Sequence, residues 1–203
     1  MPYTRFSLSA PKLGRLRGLL LCAALLLAPP AFAAEWNLDA LMQALAQHPA
    51  SRASFVERKT LAMLDTPIES SGELRFRAPG TLEMRTLKPK PQTLILEGNR
   101  LSAAIDGRTH HINLDSHPDA AVLVDSIRAT LNSDRAALQR EYTVSLAGER
   151  ARWALTLVPL AARARSRVRE IRIVGRGGQI HSIAVEHADG DHTLLTLREQ
   201  AAP

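Results

Sequence analysis

Beyond its first 33 residues this 203-residue sequence has no cysteine: the single thiol, Cys22, sits in an apolar run near the start. Residues 34–203 therefore hold themselves together without a disulfide, and that length suffices for one domain with a real hydrophobic core. Aromatic residues make up only 4% of the chain, too few for the stacking platforms that hold single-stranded nucleic acid. No apolar run is long enough to cross a bilayer. The longest, Leu19 to Ala28, is ten residues where about 20 are needed. No G-x-S-x-G elbow is present, and no cysteine nucleophile follows residue 33. No glycine-rich loop stands between a strand and a helix at phosphate-binding spacing. Gly175-Arg176-Gly177-Gly178 lies between two strands and reads as a turn needing positive φ. No enzyme site and no cofactor are expected.

Acidic residues are also missing from positions 1–33, where Arg5, Lys12, Arg15 and Arg17 precede the run LLLCAALLLA and then Ala31-Phe32-Ala33. A basic start, a short apolar stretch and small residues at a cleavage site define a removable signal peptide over 1–33, leaving 34–203 as a single soluble, exported domain. Leu21 precedes Cys22 and Arg17 lies five positions upstream, which does not fit a lipid-attachment site. Removal of the leader changes the charge argument. The whole chain carries 26 Lys+Arg against 20 Asp+Glu, whereas residues 34–203 carry 22 against 20. Nucleic acid is therefore not an expected partner.

What is present is a succession of hairpins. A helix opens the domain, with Asn37 as N-cap, Leu38, Leu41, Met42 and Leu45 on one stripe, and His48-Pro49 as the stop. Strands are predicted at 51–64, 68–77, 81–87, 92–97, 101–105 and 108–113, with turn residues between them. The spacing of Val122, Leu123, Ile127 and Leu131 predicts a helix over 119–131 behind Pro118, and Ser133 can cap a short turn over 134–140. Strands resume at 141–147, 151–159, 168–174, 179–187 and 192–198. The fold class is mainly β with α: an unclosed antiparallel half-barrel of about eleven strands, with two or three helices covering its concave face.

The polar clusters have plain readings. His110 and His111 are adjacent in a strand and point to opposite faces, so with Asp115 and His117 they make a poor metal site. His187 and His192 flank a turn and are expected to face each other, but as solvated edge residues. Asp189-Gly190-Asp191 offers two carboxylates where calcium needs six to eight oxygens, and reads as a hairpin turn. No metal is expected. The run Arg163, Arg165, Arg167, Arg169 has two readings, a patch for an acidic partner or anionic lipid headgroups, or a solvated loop running into an exposed strand face. The apolar set Leu74, Phe76, Leu82, Met84, Leu94, Leu96, Leu101, Ile105, Trp153, Leu155, Leu157, Ile171 and Ile173 is expected to share one surface. It is either an ordinary core or a pocket for an acyl chain, which gains about 0.8 kcal/mol per buried CH₂.

The stretch ASFVERKTL…IESSGELRFRAPGTLEMRTLKPKPQTLILEGNRL, from Ala53 to Leu101, resembles the LolA-like periplasmic lipoprotein carriers in the order of its strands, turns and proline connector. VREIRIVGRGGQIHSIAVEHADGDHTLLTLRE, from Val168 to Glu199, is similar to the closing hairpins of that family. The resemblance implies an unclosed barrel with a helical lid (Val122, Leu123, Ile127, Leu131) over a cavity that shelters the acyl chains of a lipoprotein or related lipidated product. It also implies a periplasmic location, handover from an inner-membrane release complex to an outer-membrane acceptor, and a monomeric carrier. A lipid-sensing module without a carrier role is the alternative. The arginine the family places before the turn proline falls on Ala78 here, and the family's C-terminal extension is missing, which favours a specialised cargo.

Overall fold

The computed structural model describes residues 35–116 and 118–200, with the side chains of 118–120 and of Leu123 left out. The expected leader, Cys22 and His117 lie outside the described residues. In the unit that begins at Trp36, helix α1 (Leu38–Ala46) starts where Asn37 accepts the Ala40 N–H at 3.0 Å. It buries Leu41 and Leu45 along the stripe its sequence marks out.

Eleven strands follow: β1 (Ala50–Thr60), β2 (Ile68–Arg77), β3 (Thr81–Lys88), β4 (Gln92–Glu97), β5 (Arg100–Ile105), β6 (Arg108–Asn113), β7 (Tyr142–Glu149), β8 (Arg152–Pro159), β9 (Val168–Arg176), β10 (Gln179–His187) and β11 (His192–Glu199). They form one antiparallel sheet in the order β6-β5-β4-β3-β2-β1-β11-β10-β9-β8-β7, so the first and last strands pair at its centre. Its two edges, β6 and β7, are joined through helices α2 (Pro118–Leu131) and α3 (Arg135–Glu141). A four-residue helix α4 (Ala162–Arg165) links β8 to β9. At the two-residue turn Asp106-Gly107, φ values of 50° and 75° give the two left-handed residues such a hairpin loop requires.

The register shows how alternation builds the interior. Phe76, Leu82, Leu96 and Leu101 stand opposite one another across β2–β5, and Leu74, Met84 and Leu94 form the next row. On the other half Val144, Leu157, Ile171 and Val185 align, as do Leu146, Leu155, Ile173 and Ile183. The second half carries the core, where Leu41, Met42, Leu45, Leu138 and Tyr142 pack on Trp153, Leu155, Leu157, Ile171 and Ile173. Two glycines make room. A Cβ at Gly175 would lie 2.3 Å from the Trp153 indole, and one at Gly178 would lie 2.3 Å from the Ala44 carbonyl of α1.

Four local expectations change. The first strand stops at Thr60 instead of Leu64, because a turn begins at Leu61. The cap of α3 is Asp134, which accepts the Ala137 N–H at 2.9 Å, while Ser133 sits at φ 57° and ends α2. His192 stands opposite Glu186 at 2.8 Å and not opposite His187, since the turn register is offset by one residue. Arg163 and Arg165 lie on α4, so the arginine run does not continue as alternate positions of one strand face.

Candidate functional site

Between α1, α2 and the central strands lies an apolar cleft of about 80 Å³. Leu74 and Phe76 of β2 form its floor with Ala53, Ile183 and Leu197, and Ile127, Leu131 and Leu45 close it from the helices. The rim is polar: His48, Ser51, Arg52, Gln179, His181 and Glu199. A volume of 80 Å³ is room for about two or three water molecules, whereas pockets for drug-sized ligands run to about 300 Å³ or more. As it stands the cleft is narrow.

The expected lining divides in three. Leu74 and Phe76 line the cleft, with lid residues Ile127 and Leu131 above them. Leu82, Met84, Leu94, Leu96 and Leu101 continue the same face across β3–β5; Leu96 is buried and the others are half-buried. Trp153, Leu155, Leu157, Ile171 and Ile173 are at most 1% exposed and packed under α1 and α3, so they line no open space in this structure. Val122 also packs against that core. Ile105 shares the inner face but stands at its outer end, exposed.

The lid is fastened by side chains reaching across the opening. Arg128 of α2 donates to the Gly98 carbonyl in the β4–β5 turn at 2.8 Å, and it also pairs with Asp125. Asn132, just past α2, donates to the Pro79 carbonyl in the β2–β3 turn at 2.7 Å. At the opposite end of the helix, the Tyr142 hydroxyl donates to the Val122 carbonyl. Burial pushes the Tyr142 hydroxyl pKa up to about 12. Arg135 of α3 pairs with Asp39 of α1, tying the two covering helices together. None of these fastenings was visible in the sequence. The two bonds to the sheet rim join residues 30 and 53 positions apart through backbone carbonyls, which leave no trace in side-chain periodicity. The cleft residue Leu45 was legible only as a member of an apolar stripe, Leu197 only as part of a strand over 192–198, and His48 only as part of a helix stop.

From the rim, Arg52 leads into a chain of ion pairs through Glu73, Arg75 and Glu83, with Arg52 to Glu73 at 2.9 Å. The Arg52 hydrogen bond holds the Glu73 carboxyl below its ordinary range. Among the described residues no group of His, Cys, Asp or Glu is arranged to hold a metal ion. His111 contacts Ser102 at 3.0 Å, and Asp191 accepts the Ala62 N–H at 2.8 Å. Arg165 is committed to the Leu160 carbonyl and Arg169 to the Ala188 carbonyl. No helix among the described residues is long and apolar enough to cross a membrane.

The profile of a protein family described as outer membrane lipoprotein carrier protein LolA-like matches residues 28–202. Among solved structures, the chain is similar to a LolA superfamily protein from Nitrosomonas europaea, with 9% identity and a TM-score of 0.41 over 80% of this chain and 95% of that one. It is also similar to the lipoprotein LppX of Mycobacterium tuberculosis, at 8% identity and a TM-score of 0.43 over 82% and 96% of the two chains. The MucA/MucB complex of Pseudomonas aeruginosa matches at 17% identity and a TM-score of 0.43, over 82% of this chain and 56% of that chain. No curated protein matches the sequence.

Proposed function

Because this chain belongs to the LolA-like family of outer membrane lipoprotein carriers, we propose that it is a periplasmic carrier which shelters the acyl chains of a lipoprotein or related lipidated product. The observation that carries this reading is an apolar cleft closed by a helix that is held to the sheet rim through hydrogen bonds to turn carbonyls. Such bonds contribute about 1 kcal/mol each, so the lid is held shut yet remains releasable. Lifting α2 joins the 80 Å³ cleft to the half-buried row Leu82, Met84, Leu94 and Leu101, which extends the apolar surface across three more strands. Hydrocarbon is then transferred from water to leucine side chains, and no bond is made or broken. The family is one of carriers and is not a known enzyme family.

On this reading residues 1–33 are a cleaved signal peptide, 34–203 are the working domain, and cargo passes from an inner-membrane release complex to an outer-membrane acceptor. Native mass spectrometry of the protein taken from a periplasmic extract tests the proposal. An acyl mass that co-purifies with wild type and is lost in Leu131→Glu or Leu96→Glu supports it. An apo mass, together with failure to bind fatty-acid or lipopeptide probes, overturns it.

A further inference from the structure

At the end of the sheet opposite the cleft, the chain departs from ordinary turn chemistry. The β1–β2 connection opens with a turn of four apolar residues, Leu61-Ala62-Met63-Leu64, closed by the Leu64 N–H to the Leu61 carbonyl at 2.9 Å. Turns normally draw on Gly, Pro, Asn, Asp and Ser, which meet the backbone's conformational demands or hydrogen-bond it. Leu61 is half-buried, but Met63 is 87% exposed and Leu64 45%. The turn is nonetheless held in place, because Asp191 of the β10–β11 turn accepts the Ala62 N–H.

Antiparallel alternation brings four more exposed apolar residues to this same end. Ile68 starts β2, Leu87 lies at the end of β3, Ile105 ends β5 and Leu160 follows β8. Of the seven large apolar side chains exposed among the described residues, all but Val56 are gathered here. Single exposed apolar residues are ordinary, but a gathering at one end is not. Cations surround it: Lys88 and Lys90 beside the β3–β4 connector, Arg108 after the β5–β6 turn, and Arg163 and Arg165 on α4. Asp65, Glu69, Asp106, Asp189 and Asp191 share the same end, with Glu69 paired to Arg58 and Asp191 holding the Ala62 N–H.

We infer that this end docks on an anionic lipid bilayer, with Met63 and Leu64 entering the boundary between headgroups and acyl chains and the flanking cations on the headgroups. The apolar residues stand on separate turn tips and not in a groove; the β1–β2 and β3–β4 tips are about 10 Å apart, two strand spacings. A bilayer admits such separate prominences, whereas a protein partner would need a matching set of pockets. The cleft opens at the other end of the strands, so the docked protein holds its cleft toward the water.

The test is flotation of the processed protein, its N terminus checked by mass spectrometry, with vesicles of phosphatidylcholine alone or with about one-third phosphatidylglycerol. Wild type should float with the anionic vesicles and weakly with the neutral ones. Met63→Ser with Leu64→Ser should lower the partition coefficient about tenfold or more on both. Arg163→Gln with Lys90→Gln should lower it on anionic vesicles only, and Val56→Ser should leave it unchanged. The inference is overturned if wild type stays unbound with both vesicles, which would favour a protein partner, or if the Met63/Leu64 variant floats like wild type. All changed positions are exposed, and the same variants should bind a fatty-acid probe as wild type does. Loss of docking alone is thereby separated from loss of acyl binding.

Discussion

Tyr142 closes the core from below and holds the lid helix from above, and its hydroxyl is the most strongly perturbed titrating group in the described residues. Burial disfavours the phenolate, so the folded-state pKa of about 12 lies above the ordinary 10. The stabilisation, of order 2 to 3 kcal/mol, is fully present below pH 10 and disappears as pH rises through 12. Tyr142→Phe should remove that alkaline dependence between pH 10 and 12 while costing about 1 kcal/mol at neutral pH for the lost bond to Val122. Thermal melts across pH check both. Ser133 offers a gain instead. It occupies the left-handed position that ends α2, with the Asp134 N–H on the Ala129 carbonyl and its own N–H on the Thr130 carbonyl, and its hydroxyl is buried without a partner. Ser133→Gly should raise stability by about 1 kcal/mol, seen as a higher melting temperature.

Among the elements, α2 is the one whose attachments decide what the protein can do. Replacing Arg128 and Asn132 together by Ala removes two hydrogen bonds to the rim and should speed release of a bound lipid probe about tenfold or more, while costing about 2 kcal/mol of stability. Stopped-flow displacement reads the rate; an unchanged rate would mean that the lid does not gate the cleft. The strands were legible from sequence because each ends in residues with a backbone reason to turn, as at Asp106-Gly107. The departures arose where no such reason exists. An all-apolar turn at Leu61–Leu64 looks like more strand, and a four-residue helix at Ala162–Arg165 is too short to show a period. Ser133 has the chemistry of an N-cap, but the conformation of the preceding helix's end gives that role to its neighbour Asp134. The lid's fastening to carbonyls was invisible for the same physical reason, since a backbone acceptor is common to every residue.

For the whole molecule, alternation identified the inner face correctly but could not tell which half of it the helices would cover. That difference has an energetic signature. Leu155 is fully buried between strands and helices, and Leu155→Ala should cost about 2 to 5 kcal/mol. Leu82 occupies the same face where it is half-buried, and Leu82→Ala should cost less than about 1.5 kcal/mol while weakening lipid binding. Denaturant titration paired with a lipid-probe assay separates the two; equal costs would mean that both halves are closed core. The sheet order has a further consequence in time. β1 lies in the middle of the sheet and finds its second neighbour only in β11, through eight aligned residue pairs. Until that strand arrives, the two meanders β1–β6 and β7–β10 have no common spine, and contacts of such long sequence separation form slowly. Under the proposed export, a chain that enters a translocation pore from its N terminus stays loose enough to thread until its closing strand has been made. On that reading the topology acts as a timer that postpones folding until the last strand is available.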